Sequence, residues 1–174
     1  LEANANISRL QYDTWNLDSI QAKASLSDGH ALVSLTGFNK LMDGNINIDA
    51  LLDKQHVTAG INADMRRLDM HALNISTDPL VTGLCGHFDV TSDMAMTHTI
   101  SGLITDIYLR DSIATHRPEE ISILLKASPD ATNAQLQSGN LTMTLDAQDN
   151  YPQLFSQLGA LGDTIASQLS NRII

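Results

Sequence analysis

The strongest constraint on this chain is an apolar–polar alternation that recurs in one phase from segment to segment. After Gly44-Asn45, the apolar residues Ile46, Ile48 and Ala50 alternate with Asn47 and Asp49. After Gly139-Asn140, Leu141, Met143 and Leu145 alternate with Thr142, Thr144 and Asp146. Successive side chains of a strand point to opposite faces, so each segment has one apolar and one polar side. Repeated many times, the pattern predicts an all-β fold: a mainly antiparallel, elongated, curled sheet with an apolar inner face.

Other segments extend the pattern. Ile20, Ala22, Ala24 and Leu26 share one phase, Asp28-Gly29 is a tight-turn pair, and Ala31, Val33 and Leu35 resume the apolar face. Gly37 to Gly44 reads as an irregular or helical turn. Val57, Ala59, Ile61 and Ala63 form the next strand face, and Met65 to Met70 reads as one helical turn that steps the chain to a new level. Leu73 and Ile75 suggest a brief strand. Alternation returns from Leu84 to Val90, and Met94, Met96 and His98 are expected to share a face continued by Ile100. Beyond Gly102 the phase is ambiguous: either Leu103, or in the next phase Ile107 and Leu109, faces inward. Ile121, Ile123, Leu125 and Ala127, then Ala134 and Leu136, precede the strand after Gly139-Asn140.

The end of the chain differs in kind. Asn150 suits an N-cap and Pro152 the first helical turn, after which Leu154, Leu158, Leu161, Ile165 and Leu169 recur at helical spacing. The predicted organisation is therefore a repetitive β domain over 1–149 and an amphipathic helix over 150–171 that packs on or caps the sheet.

Composition narrows the function. Hydrophobic residues make up 43% of the 174 residues, enough for one core, and charged residues only 17%. A net charge of −10 offers no basic stripe for nucleic acid and disfavours an anionic membrane surface. Cys85 is the only cysteine, so no internal disulfide forms; on a strand between Leu84 and Gly86 it reads as a small buried hydrophobe. The six histidines lack the i, i+2 or i, i+4 spacing of a zinc pair, and no calcium loop, phosphate loop or nucleophile elbow occurs. Aromatic content of 4% leaves little for sugar platforms. The pattern points to binding, conduit or structural work, with no cofactor or metal, and not to an enzyme.

A resemblance sharpens this. Ala63-Asp64-Met65-Arg66-Arg67-Leu68-Asp69-Met70-His71-Ala72-Leu73, then Asp78-Pro79-Leu80, Ser92-Asp93, and Ile107 to Ser112 with Arg117-Pro118-Glu119-Glu120-Ile121, resemble in their order the periplasmic region of TamB-type proteins. These are the inner-membrane component of the translocation and assembly module, within the AsmA-like group of bridge-like lipid transfer proteins, and the likeness is to the Bacteroidota forms, over roughly residues 40–150. It implies a periplasmic fragment of an open β-taco. The full-length protein would be anchored in the inner membrane, carry phospholipid acyl chains toward the outer membrane, and work with an outer-membrane β-barrel assembly protein. It implies no catalytic residues. The chain is expected to be an excised or processed piece without the family's N-terminal anchor and C-terminal conserved domain, and its last segment reads as a helix.

On this expectation the groove is lined by Ile46, Ile48, Val57, Ala59, Ile61, Ile107, Leu109, Ile121, Ile123, Leu125, Leu141, Met143 and Leu145. About ten strands at ~4.8 Å spacing would give a trough of nearly 50 Å. The competing reading is a non-catalytic β scaffold for protein–protein interaction in cell-envelope assembly, whose open edges invite strand addition. Alternation alone does not separate a trough filled by lipid from one filled by its own side chains.

Overall fold

The computed structural model of the chain describes residues 1–12, 15–150 and 152; of 8–12 and 15–17 it describes the backbone alone. The described strands are β1 (Glu2–Tyr12), β2 (Trp15–Ser27), β3 (His30–Phe38), β4 (Met42–Leu52), β5 (Val57–Asp69), β6 (Val81–Ser92), β7 (His98–Arg110), β8 (Thr115–His116), β9 (Ile121–Ala127), β10 (Thr132–Ser138) and β11 (Leu141–Ala147). They form one open, curled, antiparallel sheet, a meander in which each strand follows its predecessor, except that the two-residue β8 pairs with the end of β7 and β9 takes the next place beside β7. The predicted C-terminal helix, Asn150 and Pro152 excepted, lies outside the described residues.

Turn chemistry explains the meander. At the β2–β3 hairpin Asp28 and Gly29 both adopt positive φ (50° and 78°) between the paired Ser27 and His30. Two left-handed residues give the mirror-image turn whose twist matches that of the flanking strands. Carboxylates and amides tie the longer connections: Asn39 Oδ1 accepts from the N–H groups of Leu41 and Met42, and Asp93 Oδ1 from those of Ala95 and Thr97.

Several local expectations are corrected. Residues 37–44 contain no helical turn; β3 runs to Phe38 and β4 begins at Met42. Met65 to Asp69 continues β5, and the step expected of a helical turn is a bulge, where the register with β6 shifts between Met65 and Leu68. Leu73 and Ile75 lie in the turn-rich connection between β5 and β6, and Met94 and Met96 in the β6–β7 connection, not on a strand face.

A second bulge settles the phase of β7. Asp106 adopts a φ of 52° and the β6–β7 register shifts between Gly83 and Cys85. A bulge sets two residues of one strand against one of its partner. Below it Ile100, Gly102 and Ile104 share a face; above it Leu109 lies opposite Thr82, in phase with Leu84, Gly86 and Phe88. The numbering parity changes while the apolar side does not, so Leu103 falls on the other face.

The buried side chains lie toward the two ends of the strands, while Gly86 is buried in the middle of β6. The buried apolar residues described are Ile20, Met65 and Ile107 toward the bulged end, and Ala50 and Ala127 toward the other, where Thr132 is 2% exposed. Substantial contacts between strands follow the hydrogen-bonded neighbours alone. Among the described residues no second layer covers either face.

Candidate functional site: an uncovered apolar face

Directly opposite residues of an antiparallel pair share a face, so the registers can be followed from edge to edge. One row runs Ala5, Ala22, Leu35, Ile46, Ala63, Gly86, Ile104, Ile121, Ser138, Leu141. The next runs Ala3, Ala24, Val33, Ile48, Ile61, Phe88, Gly102, Ile123, Leu136, Met143. A third runs Leu26, Ala31, Ala50, Ala59, Val90, Ile100, Leu125, Ala134, Leu145. A fourth, at the lower end, passes through Leu52, Val57, Ser92, His98, Ala127, Thr132 and Ala147 and is already part polar. Ser138 alone interrupts the first three rows with a polar side chain.

The ten strands of the main path are nine steps of about 4.8 Å, so the face extends about 43 Å across the strands. From Val57 to Met65 along β5 it is about 26 Å tall at ~3.3 Å per residue.

All thirteen residues expected to line a groove stand on this one side. Eleven follow directly from the registers above, and Ile107 and Leu109 join them through the bulge. Their surroundings differ: Ile107 is buried, whereas Leu141 and Met143 are 55% and 59% exposed on the edge strand. The expected set omits Val33, Leu35, Ile104 and Phe88, although each is in phase with its strand. Phe88 matters most. Its ring lies over the backbone of Gly102, and a Cβ on Gly86 would stand 3.0 Å from its Cε2. One aromatic ring thus fills the space that two neighbouring strands leave empty, the arrangement by which an aromatic compensates strand glycines.

The opposite face is polar. Asn4, Lys23, Ser34, Asn47, Asn62 and His87 form one of its rows, with Leu32, Leu51 and Leu103 as scattered exposed exceptions. The depressions of the surface lie here. One of about 590 Å³ is lined by Glu2, Asn4, Lys23, Ser25, Ser34, Asn47, Asp49 and Asn62, with the apolar Ala24, Leu32, Val33 and Ile48 among them. Cys85 also belongs to this side, contrary to the expectation of a buried hydrophobe. It lies opposite Asp64 and Thr105 and is half-buried. Partial burial, with the carboxylates of Asp64 and Asp106, pushes its thiol pKa up, so it is a poor nucleophile.

Several histidines pair locally. His30 Nε2 lies 2.6 Å from Asp49 Oδ1, His87 Nδ1 2.7 Å from Asn62 Oδ1, and His98 Nδ1 2.8 Å from Ser92 Oγ. Among the described residues no group of three metal-ligating side chains converges, and no helix is long and apolar enough to cross a membrane. What the arrangement can do chemically is offer a broad, uncharged, hydrogen-bond-poor surface to an apolar ligand. No family description, curated protein or solved structure matches the chain.

Proposed function

We propose that the chain is a periplasmic segment of a TamB-like lipid conduit, in which this apolar face carries phospholipid acyl chains between inner and outer membrane. The observation that carries the reading is the apolar side of an open sheet, interrupted in its first three rows by Ser138 alone, that no second layer covers among the described residues. A methylene fully removed from water gains ~0.8 kcal/mol. Lying on an open face it is about half covered, so ten methylenes would gain about 4 kcal/mol. That is enough for transient residence and too little for a trap, as transport demands. With Ser138 as the one polar side chain along the three rows, the face suits a ligand recognised by its chain alone. On this reading the full-length protein is anchored in the inner membrane and meets an outer-membrane β-barrel assembly protein.

Photocrosslinking tests it. A photoreactive residue at Ile61, Ile123 or Met143 should label with phospholipid, while one at Thr58 or Thr142 on the polar side should not. Equal labelling of both sides overturns the conduit. Ile61→Asp should abolish lipid copurification while the domain stays folded.

A second reading, a β scaffold for protein–protein interaction in cell-envelope assembly, is favoured by a different observation: β1 and β11 end the sheet without a strand partner among the described residues. Mass spectrometry of the purified protein separates the two, since a scaffold would carry no lipid.

A further inference from the structure

The two edges are not equivalent. Natural sheets guard an edge with Lys, Pro, a bulge or a very short strand, because its unpaired backbone groups template another strand. β11 has none of these over Leu141–Ala147; its single charge is Asp146, near the end of the strand. Its apolar side chains are large and exposed, with Leu141 at 55% and Met143 at 59%. β1 likewise has no Lys, Pro or bulge, but it carries Glu2 and brings only the small Ala3 and Ala5 to the second and first apolar rows. The chain leaving β11 turns inward, because Thr132 Oγ1 on β10 donates to the Asp149 carbonyl at 2.9 Å. Among the described residues nothing covers the outer side of β11.

We propose that β11 is a homotypic pairing edge: two copies of this chain join β11 to β11, antiparallel, with Thr144 facing Thr144 on the two-fold axis. Register singles out this arrangement. A two-fold through Thr144 sets Leu141 opposite Ala147 and Met143 opposite Leu145 on one face, and Thr142 opposite Asp146 on the other. Apolar meets apolar, no like charges meet, and all seven residues of the strand are paired. Moving the axis by one or two residues along the strand shortens the ladder, and a slip by one residue turns the partner's apolar side to the polar face. An isologous contact of this kind closes after two copies. It would join the two apolar faces into one surface twice as long.

The test uses the full chain, purified free of lipid. Sedimentation should show a monomer–dimer equilibrium reaching dimer at high micromolar concentration. Thr144 is exposed, so Thr144→Lys and Thr144→Asp should leave the fold intact, as read by circular dichroism. Each places like charges directly opposite at the axis and should weaken association at least about tenfold, while a mixture of the two variants should restore the dimer. Directly opposite strand residues have Cα atoms about 4.5–5.5 Å apart, within reach of a disulfide. Thr144→Cys in a Cys85→Ser background should therefore crosslink under mild oxidation. Asn4→Lys on β1 should change nothing. A chain that stays monomeric throughout, a dimer indifferent to both charge variants, or a mixture that fails to recover overturns the proposal. Loss of the lipid reading would leave all these outcomes unchanged.

Discussion

The long-stranded part, β1–β7, and the short-stranded part, β9–β11, present the same face by different means. Strands of 9–13 residues build the first and strands of 7 the second. In the first part the three central rows are rich in small residues: Ala22, Ala24, Ala31, Ala50, Ala59, Ala63, Gly86 and Gly102. Phe88 levels the deepest gap. In the second the same rows hold Ile121, Ile123, Leu125, Leu136, Leu141, Met143 and Leu145. The first part is anchored by buried side chains at both strand ends; the second by Ala127 and Thr132 at one end only. Side-chain bulk alone therefore does not bring burial. Length along the strand, with bulges that turn the ends inward, supplies the anchoring, and the bulky residues of the short strands are left accessible.

Phe88→Ala should have the largest effect. It removes the ring from over Gly102 and opens the centre of the long-stranded part, costing about 2–3 kcal/mol in urea denaturation, less than for a fully enclosed Phe. A loss below about 1 kcal/mol would mean that the ring does not hold β6 to β7. Thr132→Val comes next, at about 1–2 kcal/mol, because it keeps the shape of a buried side chain but removes the hydroxyl that donates to the Asp149 carbonyl. Met143→Ala should cost less than about 0.5 kcal/mol while reducing lipid labelling on the short-stranded part. A cost comparable to that of Phe88→Ala would show that β11 is covered in solution and would dissolve the contrast between the two parts.

The contrast was only half legible in the sequence. Strict alternation in Ile46–Ala50, Val57–Ala63, Ile121–Ala127 and Leu141–Leu145 identifies these strands and their apolar sides, and Asp28-Gly29 declares its turn. Alternation misleads where the backbone departs from it. At Met65–Asp69 and at Asp106 a bulge inserts one residue, and the resulting break in phase looks like a helical turn in the first case and an ambiguity between Leu103 and Ile107 in the second. The bulge is a property of the paired backbone, set by the neighbouring strand, and a single strand's sequence does not carry it. Met94 and Met96 show the converse: their spacing mimics a strand, yet the Asp93 carboxylate captures the amides of Ala95 and Thr97 and makes a turn there. Cys85 departs from the expected burial for a simpler reason. Its small apolar character suggested burial, while its phase, odd between Leu84 and Gly86, already put it on the polar side.

The smallest expected effect sharpens the comparison through pH. In the long-stranded part the β6–β7 connection hangs on Asp93, whose carboxyl is lowered from 3.8 to about 2 chiefly by the backbone N–H groups of Thr97 and Ala95. A carboxyl lowered on folding stabilises the folded state above its unfolded pKa and ceases to do so as pH falls through the folded value. The stabilisation is therefore complete above about pH 4 and lost toward pH 2. In the short-stranded part the β9–β10 connection is closed instead by Ser128, whose Oγ accepts from the Ala131 N–H at 3.1 Å and does not titrate in this range. Amide hydrogen exchange between pH 4 and 2, corrected for intrinsic rates, should show Ala95 and Thr97 losing protection in this window while Ala131 keeps its own. Asp93→Asn should flatten the response at Ala95 and Thr97. A turn at 128–131 that opens over the same window would mean that acid loosens the sheet as a whole, with no special part played by the carboxylate at Asp93.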